Sequence, residues 1–107
     1  MSVRQRLAAS AVLALGLGAV PVSASELFDA CAAKAASSYE QGYAATGLDS
    51  GAIDTAAAIE ACTAALAEAP DSPALKAWLG RAYDVSGDSA QSASYLEPAA
   101  SAGNVLA

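Results

Sequence analysis

The sequence predicts an all-α chain: helix-turn-helix repeats, a fragment of an α-solenoid, preceded by a short disulfide-tethered helix and a loop. Three observations predict it. Leu75, Trp78, Leu79, Ala82 and Tyr83 recur at three- and four-residue steps, which places them on one face of a helix. A second such pattern follows through Ala90, Ala93, Leu96, Ala99 and Ala100. The two patterns are joined at Gly87-Asp88, which reads as a turn with Gly87 free to take positive φ. Finally, a backward shift of about 34 residues places Ser92, Ala93, Leu96, Ala99, Ala100 and Asn104 on Ala58, Ile59, Cys62, Ala65, Leu66 and Pro70. No strand pattern accompanies these helices.

The first 24 residues stand apart from the fold. Arg4 and Arg6 form a basic start, residues 7–20 are apolar but for Ser10 and the glycines, and Val22-Ser23-Ala24 offers small residues for a peptidase. These features predict a secretory signal peptide cut after Ala24, so that the mature chain begins at Ser25. A membrane anchor is the alternative, but the apolar run is shorter than the ~20 residues a spanning helix needs. The expectation is a secreted or periplasmic protein with no stable membrane anchor after cleavage.

Residues 25–53 form a second zone. Alanine density and the placing of Leu27, Cys31 and Ala35 predict a short helix over residues 26–38. Gly42, Gly47 and Gly51, mixed with Ser38, Thr46, Asp49 and Ser50, then read as a loop with turns. In a regular array this stretch would hold the partner of the next helix, and its composition does not.

Residues 54–107 are the repeat region. Asp54 or Thr55 caps a helix whose buried side is Ala58, Ile59, Cys62, Ala65 and Leu66. Asp71 or Ser72 caps the next, with Pro73 in its first turn, where a missing N–H costs nothing. Pro98 lies inside the last helix, where a lost donor and a clash cost about 3 kcal/mol in a helix interior, so a bend or restart is expected near Glu97. That helix stops at Gly103-Asn104, and Asn104-Val105-Leu106-Ala107 reads as the start of another first helix. The region therefore looks like an array incomplete at its C-terminal side.

These residues resemble the tetratricopeptide repeat. Leu79-Gly80-Arg81-Ala82-Tyr83 supplies the second half of that family's Trp-x2-Leu-Gly-x2-Tyr pattern. Gly87-Asp88 matches its turn, Ala99 its second-helix alanine, and Pro70 the closing proline of the preceding unit. Lys76 departs from it, standing where the first-helix tryptophan belongs, and so does Ser92, where an alanine usually packs. The ending Ala99-Ala100-Ser101-Ala102-Gly103-Asn104 is similar to the Sel-one-like branch. The resemblance implies repeat packing through Leu75, Trp78, Leu79, Gly80, Ala82, Tyr83, Ala93, Leu96 and Ala99. The Cys31–loop–Ala58-Ile59-Glu60-Ala61-Cys62 arrangement is similar to secreted alpha-proteobacterial repeat proteins, some attached to caspase-like peptidase domains.

Composition excludes several chemistries. The chain has no histidine, hence no usual general base near neutral pH and no imidazole metal ligand. Its net charge is −6, and beyond Ala24 three bases (Lys34, Lys76, Arg81) face eleven acids, a net −8 that disfavours nucleic acid. No Gly-rich phosphate loop follows a strand. Asp84, Ser86 and Asp88 around Gly87 lack the alternating ligands of a calcium loop and are expected to cap and turn. The eleven acids are scattered singly, as on a solvated surface. Trp78 and Tyr83 are expected in the core, and Tyr39 and Tyr43 are the aromatic candidates for an exposed contact.

The roughly 80 residues left after cleavage make a small domain whose core is marginal without a staple. In an oxidising compartment Cys31 and Cys62 are expected to supply one, since redox-active pairs usually sit two residues apart and these do not. The expectation is an exported, non-catalytic module that binds a protein partner, with no catalytic residue, cofactor or metal. The alternatives are the accessory N-terminal region of a larger secreted enzyme and a truncated array without independent function.

Overall fold

The structure is a computed structural model describing residues 22–104, 106 and 107. The basic start and apolar run of the expected signal peptide lie outside the described residues. Four α-helices are present among those described: α1 (Ala24–Ala35), α2 (Thr55–Glu68), α3 (Pro73–Ser86) and α4 (Ser89–Ser101). A short 3-10 turn, Ser50–Ala52, precedes α2, and no strand occurs among the described residues. The chain is all-α, built from helix-turn-helix units.

Each helix starts where a short polar side chain can take an orphan amide. Ser23, Asp54, Ser72 and Asp88 accept from the amides of Glu26, Ala57, Leu75 and Gln91. Such a cap stabilises by ~1 kcal/mol over alanine. At Ser23 the cap is reciprocal, because the Glu26 carboxylate accepts the Ser23 amide at 3.0 Å. This box starts α1 two residues earlier than the sequence predicts. It also places the expected cut, after Ala24, inside the first turn.

The ends are equally local. Gly87 and Gly103 both have φ of +92°, and each is followed by an amide that reaches back five residues. Asp88 donates to the Tyr83 carbonyl at 3.0 Å and Asn104 to the Ala99 carbonyl at 3.0 Å. A side chain at φ near +90° would be strained, so glycine is required at both stops.

Two expectations for α4 are corrected. Of the bend or restart expected near Glu97, the restart does not occur, and the helix runs unbroken through Pro98 to Ser101. Pro98 sits in the last turn on an exposed side, so the one carbonyl it deprives of a partner can turn to water. The buried stripe is also rotated. Ser92 and Ala99 are buried and Leu96 half-buried, while Ala90, Ala93 and Ala100 are exposed. Ala93 is therefore not a packing residue within this hairpin, because Ser92 occupies that seam.

The helices α1 and α3 lie against each other, α2 packs on both, and α4 rests on α3. The core joins Cys31, Ala32 and Ala35 of α1 to Ala58, Cys62 and Ala65 of α2 and to Leu75, Trp78, Leu79 and Ala82 of α3. A disulfide joins Cys31 to Cys62, with both residues fully buried. The helix that pairs with α2 is thus α1, on the far side of the glycine-rich loop, and the loop is an insertion between the partners.

Candidate functional site

The first-helix face of α1 and α3 carries the densest set of directed contacts, and they converge on Trp78 and Arg81. Three residues apart on α3, these two side chains share one face of the helix. Trp78 is 1% exposed, so its indole N–H must find a partner inside the fold. It donates to both carboxylate oxygens of Glu40, at 3.0 and 2.9 Å. Glu40 also accepts the Ser37 amide at 2.7 Å, so one carboxylate serves two donors.

Arg81 works at the end of α1. Its guanidinium donates to the Ala35 carbonyl at 2.8 Å and to the Leu48 carbonyl at 2.6 Å. Ala35 closes α1, so its carbonyl has no intrahelical partner and carries the negative end of the helix dipole. A planar fork can hold two acceptors at once, where an ammonium would serve as a point charge. Arg81 thereby links the end of α1, the returning loop and α3.

The loop between them is closed at its base. The Leu48 amide donates to the Ala36 carbonyl at 2.7 Å, which brings the outgoing and returning chains together. Gly47 presses on the main chain of Ser37 and Ser38, leaving no space for a Cβ. Within residues 37–47 the Tyr43 amide donates to the Glu40 carbonyl and the Gly47 amide to the Tyr43 carbonyl, at 3.0 and 2.7 Å. The result is a compact loop with neighbouring ends and no regular element of its own.

Aromatic rings complete the site. Phe28 and Tyr43 both meet Trp78 edge-on, with centroids 5.1 and 5.4 Å away. Burial raises the Tyr43 hydroxyl above its ordinary pKa, and the nearby charges of Glu40 and Asp29 add to the shift. Tyr43 is therefore not an exposed contact residue, as the sequence predicts, but a lid on Trp78. Tyr39 is 94% exposed at the outer side of the same loop.

The seam between α3 and α4 holds Gly80, Tyr83 and Leu96 of the repeat-packing residues, while Leu75, Trp78, Leu79 and Ala82 belong to the core shared with α1 and α2. A Cβ on Gly80 would lie 2.7 Å from Leu96 Cγ and 3.2 Å from the Ser92 carbonyl oxygen. The buried Ser92 hydroxyl satisfies itself on the Gly80 carbonyl at 2.9 Å. A serine thus serves where an alanine is usual, because the close approach puts a carbonyl within its reach. Tyr83 is half-buried rather than enclosed, and stacks on Tyr95 with centroids 5.9 Å apart. Leu75, Leu79, Ala82 and Ala99 are buried.

Around Gly87, Asp88 caps α4 and the Ser86 hydroxyl bonds the Tyr83 carbonyl. Among the described residues no group of three or more His, Cys, Asp and Glu is placed to hold a metal ion.

Sequence reasoning misses Glu40 and Arg81. Glu40 reads as one more solvated acid, yet Ser37-x-x-Glu40 is a capping-box spacing with no helix behind it. That mismatch is the available signal. Arg81 offers only its rarity, as one of three bases beyond Ala24.

Comparison with known proteins agrees with the geometry. The family profile described as tetratricopeptide repeat matches residues 48–104, from the returning loop to the stop of α4. No curated protein matches the chain, and no solved structure does. The matched stretch covers more than half of the 107 residues and contains the α3–α4 hairpin with its Gly80–Leu96 seam. The chain belongs to the tetratricopeptide repeat family.

Proposed function

We propose that this chain is an exported helical-repeat module that works by protein–protein interaction, as a scaffold or adaptor, without catalysis of its own. The observation that carries the reading is the family match over α2, α3 and α4, since tetratricopeptide repeats generally mediate protein–protein interaction. Stacked hairpins present their first helices along one side, and that side is the natural recognition surface of such arrays. Export is supported by Arg4, Arg6, the apolar run and Val22-Ser23-Ala24. The joined cysteines suit an oxidising compartment. Among the described residues no helix is long and apolar enough to cross a membrane. Within the family, the ending Ala99–Asn104 supports the Sel-one-like branch.

A second reading is an accessory N-terminal region of a larger secreted enzyme such as a caspase-like peptidase; what favours it is the resemblance of the Cys31–loop–Cys62 arrangement to secreted repeat proteins attached to such domains.

Crosslinking in the exporting host, followed by reconstitution from purified components, tests the main reading. The expected result is a saturable complex of fixed stoichiometry formed by protein whose first residue is Ser25. Catalytic turnover by the chain alone would overturn it, as would retention of Met1 or Ser2 after export.

A further inference from the structure

A loop of the same chain covers part of Trp78. Loop 37–47 reaches it with the Glu40 carboxylate on its indole N–H and with the Tyr43 ring, which meets the indole edge-on. Glu40 and Tyr43 stand three residues apart and are joined by one turn hydrogen bond. Phe28, which also meets the indole edge-on, belongs to α1 and not to the loop.

The base of the loop is secured separately from its tip. Gly47 against Ser37 and Ser38, the Leu48–Ala36 bond and the Arg81 fork hold residues 35–37 to residues 47 and 48. The tip meets α3 through Glu40 and Tyr43, and around them Tyr39, Gln41, Gly42 and Ala44 are exposed. Short loops with few buried contacts open at lower free energy than the helices beneath them. Lifting the tip would take Glu40 and Tyr43 off Trp78 without breaking the disulfide, the base or any helix.

We propose that loop 37–47 is a ligand held in cis on the first-helix face, and that the Trp78–Phe28 platform beneath it takes a short acidic–aromatic segment of a partner protein in its place. The partner's chemistry is read from the present occupant: a carboxylate to accept the indole N–H, and an aromatic ring three residues later. The closed loop lowers the apparent affinity by the fraction of time the platform is open. Access to this surface is then set by the chain itself. The inference rests on the module being a protein-binding one and names the class of segment it binds.

Native-state hydrogen exchange on the whole oxidised chain reads the opening with no partner present. The Tyr43 and Gly47 amides should exchange at least ~10-fold faster than the α3 amides around Leu79, as expected for local rather than global opening. Equal rates would make the loop a fixed part of the core and overturn the proposal, leaving the protein-binding reading untouched.

The second measurement is binding of a fluorescent synthetic peptide spanning residues 37–47 to the full chain carrying Glu40→Ala and Tyr43→Ala. This variant keeps the base of the loop. Binding at least ~10-fold tighter than to the wild type, and weakened again by Trp78→Phe, is the expected result, since the cis occupant no longer competes. A variant that keeps its helical circular dichroism but binds no better than the wild type would overturn the proposal. If the variant does not fold, exchange in the wild type decides alone. Failure to find any partner complex, with the loop opening as expected, would instead count against the protein-binding reading.

Discussion

Trp78 and Glu40, 38 residues apart in sequence, are joined by an indole N–H that both oxygens of one carboxylate accept. The donor is buried, so its loss of a partner is felt in full, whereas replacing the carboxylate by an amide keeps an acceptor in place. Glu40→Ala should lower the unfolding free energy by about 1–3 kcal/mol, and Glu40→Gln by less. Denaturant unfolding followed by Trp78 emission measures both. Equal stability of Glu40→Ala and wild type would show that water replaces the carboxylate at no cost.

The α3–α4 seam is limited by Gly80. Its substitution by alanine would press a methyl group on Leu96 and the Ser92 carbonyl. Overpacking of this kind costs about 1–3 kcal/mol. Since Leu96 has a flexible end, Leu96→Ala added to Gly80→Ala should cost less than the two singles together, by more than ~0.5 kcal/mol in a thermodynamic cycle. Gly47→Ala should be the worse of the two glycine changes. There the obstacle is main chain, which cannot rotate away. Additive behaviour at Gly80 and Leu96 would refute the contact.

The disulfide spans 31 residues and ties α1 to α2. Cys62→Ser should lower the stability of the oxidised protein by about 2–5 kcal/mol, the usual range for small secreted domains. Under reducing conditions the wild type and the variant should converge. Titration of two free thiols in the folded, oxidised chain would contradict the pairing.

Tyr43 gives a pH dependence of definite sign. Its pKa in the fold is raised above the ordinary value of 10.0, so between the two values the folded chain holds a proton that the unfolded chain has lost. Its contribution is therefore fully present below the ordinary value and is lost as pH rises through the folded one. Alkaline unfolding of the wild type should carry this component, and Tyr43→Phe should lack it. Tyrosinate absorbance should likewise lose a late-titrating step in that variant. A variant titration identical to the wild type would exclude Tyr43 as the source.

Much of this fold is legible in the sequence because its causes are local. Caps at Asp54, Ser72 and Asp88, proline at the first turn of α3 and the glycine stops at Gly87 and Gly103 act over at most five residues. The echo at about 34 residues then identifies the hairpin, since each unit repeats the same local rules. The disulfide follows from there being only two cysteines to pair. What stays hidden depends on residues far apart, or on helices without a strong pattern. An alanine-rich helix such as α4 can turn its stripe by one residue at little cost. Periodicity reads the small side chains of Ser92 and Ala93 nearly alike, and only the packed helix pair brings the Gly80 carbonyl within reach of the Ser92 hydroxyl, so that the serine can be buried in the seam.

The boundaries of α2, α3 and α4, and the family they form, come from the residues alone, because capping, turn geometry and helical period are written within a few residues of each boundary. Packing in three dimensions settles the rest: α1 is the partner of α2, Arg81 closes the end of α1, and Glu40 belongs to Trp78 rather than to solvent. The bonds made by Arg81 and Trp78 cross 33 to 46 residues. Their free energy comes from satisfying a buried donor or an orphan carbonyl that no neighbour in sequence could reach.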